Sequence, residues 1–487
     1  MTWYECLSAQ DRSYLLFETP NTHMHVGGVS IFEPGPLATP QGGLDMDLAR
    51  RYIAANLHLI PRYRQRVAYV PGTDQPVWVD DEHFNLAYHV RHISLPQPGD
   101  DRQFKRLAGQ INSQQLYRGR PLWELWFVEG LEGGRWGLVL KNHHCMVDGV
   151  SGLNLLSVLM RPTRDATVTE PPLWRPRPIP AGAELRRDEF IRRAALPLRI
   201  GRGLLGVVRN PQERIAYLGG ALQGAWHALR TSLEYPSETP LNGPTGPSRR
   251  CDWFSFDLDH VKAVKNRLGG TVNDVILAAI TGGVRRFFEG QGVDVREMKF
   301  HAIVPVNTRT PAEHQMMGNR SSGWLLALPV QTHDPVERLQ AVSRATAQSK
   351  AAHEALGIEF LSEIAAAADP LFKLSVWMAG RFHPYNLIVS NIMGLPDPMY
   401  FAGARCLEGY PMVPLFENQG AAIGSFSNAG KLYLGFNGDW ELLPELHELV
   451  EAVNLSFTEL HQAASRSTAR LKAAKRRRSK RTHRRTA

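Results

Sequence analysis

Apolar residues recur along this chain with two periods. Residues 125–131 and 136–140 are nearly continuous apolar runs joined through Glu132-Gly133-Gly134, and they predict two neighbouring strands. Residues 26–32 and 78–80 predict further short strands, and residues 48–59 and 104–117 predict two helices. The second half alternates in the same way. Residues 253–258 predict a strand, 261–268 a short helix stopped at Gly269-Gly270, and 300–306, 387–390 and 431–437 three more strands. Ile276, Leu277, Ile280 and Val284 fall on one helical face behind Asn273 and Asp274, residue types that cap helices. Leu446, Val450, Val453, Phe457 and Leu460 repeat at four- and three-residue spacing after Pro444, the pattern of a final amphipathic helix. Both halves therefore mix strands and helices. The fold class is α/β (mixed α+β), without a convincing internal repeat.

At 487 residues the chain is too long for a single core and implies two domains of roughly two hundred residues each. The expected division is 1–165 for an N-terminal domain, 166–248 for a crossover linker, 249–465 for a C-terminal domain and 466–487 for a basic disordered tail. The linker opens with a stretch stiffened by proline, Pro171-Pro172-Leu173-Trp174-Arg175-Pro176-Arg177-Pro178. Residues 196–209 then mix apolar and basic side chains without an acid, which suits either an amphipathic helix on a membrane interface or packing between the domains. Residues 235–248 carry Pro236, Pro240, Pro244 and Pro247 and lead into the second domain.

The formal net charge of +9 is misleading about the folded body. Residues 466–485 hold eleven Lys and Arg and no acid, so the remainder carries −2. Such a tail attracts anionic lipid headgroups at about 1 kcal/mol per basic residue near the surface, or grips nucleic acid nonspecifically. The N-terminus has neither the basic start nor the apolar core of a signal peptide, and no run of eighteen uncharged apolar residues is present. Cys6, Cys145, Cys251 and Cys406 are few and far apart, as in a reducing cytoplasm.

Lys141-Asn142-His143-His144-Cys145-Met146-Val147-Asp148-Gly149 concentrates the chemistry, at the end of the second predicted strand. Neighbouring strand residues face opposite ways, so one imidazole addresses a cavity while the other packs or supports the turn. A neutral histidine titrating near neutrality suits general-base work on a hydroxyl or amine. Asp148 would shape the loop through an arginine or orient the imidazole. Arg62, Arg64 and Arg66 follow the first predicted helix and include one candidate partner; Arg309, after the strand at 300–306, is a second. Adjacent histidines diverge and no second ligand cluster supports them, so a metal site is disfavoured. Cys145 as a thiol nucleophile requires a proximity to His144 that adjacency on a strand opposes. His83, His89 and His92 lie in a polar region and read as structural. A serine hydrolase elbow is missing, since Gly149-Val150-Ser151-Gly152 has the wrong spacing. Gly424 and Gly430-Lys431 are one residue too far apart for a Walker loop, and Leu432 replaces its Ser or Thr. No dinucleotide fingerprint occurs.

His143 to Gly149 resembles the HHxxxDG motif of the coenzyme A-dependent acyltransferases and of the condensation domains of peptide synthetases. Within that superfamily the chain resembles the bacterial wax ester synthase/diacylglycerol acyltransferase family over nearly all its length. Pro121-Leu122-Trp123 is similar to the PLW motif of the family, and Asn273-Asp274 to its ND motif. Leu7-Ser8-Ala9-Gln10-Asp11 and His23-Met24-His25-Val26-Gly27-Gly28 resemble its opening segments.

The resemblance implies two similar sandwich domains with a tunnel between them and the active histidine inside it. It implies an O-acyltransferase that moves a fatty acyl group from acyl-CoA, a substrate rather than a resident cofactor, to diacylglycerol or a long-chain alcohol. His144 would be the general base. His143 and Asp148 would hold the loop, Gly149 would permit the turn, and Pro121, Leu122, Trp123, Asn273, Asp274 and Arg309 would bind substrate or support the site. For a lipid enzyme the basic tail and the amphipathic linker point to peripheral association with the inner face of the membrane or with lipid droplets, in the cytoplasm. Met393 stands where the family usually shows proline, and 421–426 differs from its usual asparagine-containing strand; both differences bear on the acceptor. Two alternatives stay open: a condensation-type acyltransferase using a carrier-protein donor or another acceptor, and a non-catalytic lipid-binding protein of the same fold.

Overall fold

The structure is a computed structural model that describes residues 4–147, 158–195, 235–307, 321–352 and 369–483, with a few positions between 219 and 230. Asp148, Gly149, Arg309, the segment 196–209 and the start of the helix expected after residue 150 lie outside the described residues.

The first half supplies strands β1 (Glu5–Cys6), β2 (His25–Phe32), β3 (Gln65–Tyr69), β4 (Pro76–Asp80), β5 (Val90–Ser94), β6 (Trp123–Glu129) and β7 (Trp136–His143). Its helices are α1 (Ala9–Phe17), α2 (Met46–Asn56), the single turn α3 (Leu86–His89) and α4 (Asp101–Asn112), with α5 (Gly182–Ala194) in the linker. The second half supplies β8 (Arg249–Asp257), β9 (Phe300–Asn307), β10 (Ser321–Leu328), β11 (Leu387–Ile392), β12 (Tyr400–Phe401), β13 (Ala404–Met412), β14 (Ala421–Asn428) and β15 (Lys431–Asp439). Its helices are α6 (Leu258–Leu268), α7 (Val272–Gly290), α8 (Pro335–Ala351), α9 (Asp369–Ala379) and α10 (Leu446–His483).

These strands build a three-stranded sheet, β1-β4-β3, and two six-stranded sheets, β12-β13-β2-β7-β6-β5 and β10-β9-β11-β14-β15-β8. One large apolar core lies against the first six-stranded sheet and another, with α7 and α10, against the second. The halves are interlocked. Residues 400–412, within the segment 249–465, cross to the first sheet, where β13 runs antiparallel to β2 with Tyr410 opposite Val29 and Met412 opposite Gly27. On its way β13 passes over β14 and β15. A Cβ on Gly435 would collide with the Pro411 carbonyl, and one on Gly424 would lie 2.9 Å from the Pro411 ring, so both positions need glycine for this close approach. Tyr410 then stacks on Trp253 of β8, with ring centroids 5.3 Å apart.

Most predicted elements are present with shifted ends. The helix expected over 104–117 is α4, which begins earlier because Asp100 and Gln103 form a capping box, and stops at Asn112. The helix behind Asn273 and Asp274 has Thr271 as its N-cap; Asp274 closes the box from inside the first turn, and Asn273 also lies within the helix. The tail expected to be disordered from residue 466 instead continues α10 through His483. Ala, Arg, Lys and Leu propagate a helix once it is started, and neither Gly nor Pro interrupts 446–483.

Candidate active site

His143 is the last residue of β7 and pairs with His25 of β2. Both of its backbone groups are used at once. Its N–H donates to the Leu122 carbonyl at 2.9 Å, and its carbonyl accepts the Met146 N–H at 2.9 Å, which turns the chain sharply. Its ring helps hold the turn, because Nδ1 accepts the Cys145 N–H at 3.1 Å. An accepting Nδ1 puts the ring hydrogen on Nε2, which faces the Glu18 carboxylate at 3.5 Å. The His143 and Glu18 side chains are both fully buried.

Glu18 follows the last turn of α1 as its C-cap. Burial by itself would raise its carboxyl, but contacts with His143 and with Arg118, whose Nη2 lies 2.7 Å away, prevail and bring it down to about 2. His25 accepts the Leu116 N–H at 3.3 Å, and burial, aided by Lys141 and His143, pushes it well below its ordinary value. Below the turn, Lys141 is buried and bound to Glu124 at 3.1 Å and to the carbonyls of Ile111 and Gln114. The strand end is thus anchored by charge as well as by pairing.

His144 faces the other way, as the strand alternation requires. Its N–H donates to the Met24 carbonyl at 2.7 Å, and its half-buried ring lies flat against Tyr14 of α1 at 3.9 Å. Cys145 is buried in the core, and burial together with Asp11 and Glu18 drives its thiol well above the ordinary value. A protonated, enclosed thiol is not a nucleophile.

Pro121, Leu122 and Trp123 stand directly behind the turn. All three are buried, and the Leu122 carbonyl is the acceptor that ends the strand at His143. Trp123 is sandwiched between Tyr63 at 4.3 Å and His89 at 4.4 Å. Its indole N–H donates to the Tyr63 carbonyl, and the Tyr63 hydroxyl donates to Asn142 beside the turn at 2.6 Å. His89 touches the Trp123 carbonyl at 2.7 Å, and burial brings it down to about 4. Of the expected arginine partners, Arg62 is bound to Glu5 at 2.6 Å and to Gln65, and Arg64 lies over the Trp174 ring. Asp148 and Arg309 are among the undescribed residues.

Asn273 and Asp274 join a different network, in the second half. Asp274 accepts from the Thr271 N–H and from the Thr346 hydroxyl at 2.7 Å, which ties α7 to α8. Asn273 accepts from the Asn391 amide at 3.2 Å, and the Asn391 carbonyl oxygen accepts from the Ser425 hydroxyl at 2.9 Å. The network therefore runs from the first turn of α7 through β11, which ends just before Met393, to β14, which contains 421–426.

Tyr14, Glu18 and Arg118 escaped the reading of the sequence. Asp11, Tyr14, Leu15 and Glu18 recur at helical spacing on one side of α1, a signal hidden because only Leu15 among them is an aliphatic core residue. Among the described residues, no three His, Cys, Asp or Glu side chains are grouped to hold a metal ion. The turn offers one accessible imidazole, held by its backbone and beside an aromatic ring, which is a geometry for moving a proton at a bound hydroxyl.

Residues 7–276 match the family model described as the wax ester synthase/diacylglycerol acyltransferase catalytic domain, and residues 317–461 match the WS/DGAT C-terminal domain. The chain belongs to the wax ester synthase/diacylglycerol acyltransferase family. A probable diacylglycerol O-acyltransferase of Mycobacterium tuberculosis is 31% identical over 474 residues, covering 94% of this chain and 99% of that one. A second from the same organism is 29% identical over 475 residues, covering 93% and 95%. The solved wax ester synthase/diacylglycerol acyltransferase of Marinobacter aquaeolei superimposes with a TM-score of 0.66 at 25% identity, covering 94% of this chain and all of that one. The first condensation domain of the CDA synthetase shares the fold, with a TM-score of 0.58 at 16% identity and coverage of 95% and 97%. Like other chains of the family, this one is an acyltransferase built from two similar mixed α/β domains. The catalytic-domain match encloses α1, the histidine turn and the start of α7.

Proposed function

We propose that this chain is an acyl-CoA-dependent O-acyltransferase acting on diacylglycerol, to give triacylglycerol, and on long-chain alcohols, to give wax esters. The observation that carries the assignment of roles is the opposite disposition of the two histidines. His143 is buried and spent on the turn, while His144 is half-buried with its ring against Tyr14.

His144 takes the proton from the acceptor hydroxyl as that oxygen attacks the thioester carbonyl of acyl-CoA. The tetrahedral intermediate collapses, the carbon–sulfur bond breaks, and coenzyme A departs as a thiolate. A thiolate leaves without prior protonation, so one base suffices and its proton is then released to solvent or to the thiolate. Acyl-CoA is a substrate, and no resident cofactor enters the scheme. His143 with Asp148 and Gly149 keeps the turn in shape, with Pro121, Leu122 and Trp123 behind it. Asn273 with Asp274 supports the acceptor side, and Arg309 is a candidate partner for Asp148 from the second half. The lipid substrates place the enzyme at a membrane or droplet surface, to which the basic end of α10 contributes attraction.

The test is coenzyme A release from palmitoyl-CoA by purified protein, with diacylglycerol and hexadecanol offered separately and His144→Ala alongside. Acceptor-dependent release that disappears in the variant supports the reading and names the alcohol. Undiminished release by folded His144→Ala removes the base, and no release with either acceptor points to a carrier-bound donor.

A further inference from the structure

Among the described residues, helix α9 packs on α1 through the side that carries Phe372. Phe372 is its buried residue; Arg12 of α1 lies 5.0 Å over that ring and reaches Asp369 at 2.6 Å. Leu371, Leu374, Trp377 and Met378 fall on the side away from Phe372, each 45–56% exposed, and Phe382 just beyond the helix is exposed as well. Apolar side chains in this number on one short surface helix mark a contact surface.

Charge identifies the occupant. Asp369 is the one acid between 369 and 382; Arg12 and Lys373 neutralise it, and Lys373 also pairs with Asp74. Arg381 lies over the Trp377 ring at 5.2 Å. The neighbouring end of α5 exposes Phe190 and Ile191, and its Arg192 and Arg193 come close enough to interact with Asp369. The two α5 acids nearest that end are likewise engaged, Glu189 by those two arginines and Asp188 by Arg187 and Tyr4. Exposed leucine, methionine and indole side chains beside guanidinium groups suit a phospholipid surface, which offers acyl chains, an interface and anionic headgroups.

We propose that α9, with Phe382 and the adjoining end of α5, docks this chain onto an anionic phospholipid bilayer. The proposal rests on the reading above that the acceptor is a lipid alcohol. It adds a surface other than the basic tail, fastened through Arg12 and Phe372 to the same helix that places Tyr14 against His144.

Flotation of the full chain with vesicles of phosphatidylcholine and phosphatidylglycerol tests it without any turnover. Leu374→Glu with Trp377→Glu alters exposed side chains, so the melting temperature should hold while vesicle partitioning falls by about tenfold or more. Neutralising the tail instead (Lys475→Gln, Arg476→Gln, Arg477→Gln, Arg478→Gln) should leave most of the partitioning. A fluorophore on Met378→Cys, in a Cys6→Ser background, should shift to the blue on the vesicles. Wild-type flotation by the double Glu variant, an unshifted fluorophore, or equal partitioning onto phosphatidylcholine alone would each overturn the proposal. Coenzyme A release with a dispersed short-chain diacylglycerol should be unchanged in the double variant. Absence of that release in the wild type would count against the acyltransferase reading and leave the flotation result standing.

Discussion

The two halves hold their polar motifs by different means. In the first, the histidine turn hangs on backbone groups: Leu122, Met24, Cys145 and Met146 each contribute a main-chain donor or acceptor. In the second, the start of α7 is tied beyond its own helix, among the described residues, by side chains: Thr346 and Asn391, the latter held in turn by Ser425. Main-chain hydrogen bonds survive a side-chain substitution, whereas a side-chain bridge disappears with one residue. The proposed base, His144, therefore sits on the half that tolerates little movement. The second half, with Met393 and 421–426, is the one whose contacts a few substitutions can retune.

The comparison breaks most visibly at His144. Because its fixed position comes from the main chain, His144→Ala should lose roughly 10²- to 10⁴-fold in turnover while stability changes by less than about 1 kcal/mol. Coenzyme A release and urea unfolding measured on one preparation check this, and a large loss of stability would mean that the ring holds the turn after all.

Glu18→Gln should do the reverse. The Glu18 carboxyl is lowered from 4.5 to about 2, so its stabilisation is complete above the unfolded value and is lost as pH falls from there toward 2. The variant should lose ~2 kcal/mol at neutral pH and show a shallower decline in acid. Identical unfolding curves at pH 7 would show that the His143–Glu18–Arg118 contacts carry no net stabilisation.

His89 titrates with the opposite charge but the same direction in pH. Burial lowers it from 6.5 to about 4, so between those values the unfolded chain binds a proton that the folded chain refuses, and stability drops as pH falls. His89→Phe keeps a ring beside Trp123 but removes the bond to its carbonyl, at a cost of about 1 kcal/mol at pH 7. Its deficit against the wild type should shrink as pH is lowered from 6.5 toward 4, and a constant deficit would remove His89 from the acid response.

Smallest of all, Asn391→Ala cuts the bridge between Asn273 and Ser425 where it is only half-buried, with a stability change below about 1 kcal/mol. The ratio of diacylglycerol to hexadecanol turnover should nevertheless move by about threefold or more. An unchanged ratio would separate this network from the acceptor.

Much of this was legible in the chain itself. The two apolar runs on either side of Glu132-Gly133-Gly134 are β6 and β7, and the strand does end at the histidine pair with one ring buried and one half-exposed. The spacing of Ile276, Leu277, Ile280 and Val284 is α7, all four fully buried. Three features were not legible. Strand β13, with Arg405, Glu408, Gly409 and Pro411, alternates poorly, because it is covered by both sheets in turn. Tyr14 and Glu18 lie in a polar segment whose apolar residues show no repeat that marks a helix. The basic end of the chain read as disordered from its charge, although its propensity for helix is high.

What the sequence determined by itself is whatever depends on neighbours a few residues away: the period of each element, the facing of adjacent side chains, the stops at glycine and proline, and the motif that the turn carries. The tertiary structure decided which strand completes which sheet, and hence that residues 400–412 close the first domain from the second. It also decided that Glu18 and Arg118, a hundred positions apart, neutralise one another beneath His143, and that Leu371, Leu374, Trp377 and Met378 of α9 are exposed. Periodicity is a short-range signal set by helix and strand geometry. Pairing across hundreds of residues depends instead on shape and charge that exist only once both partners have folded.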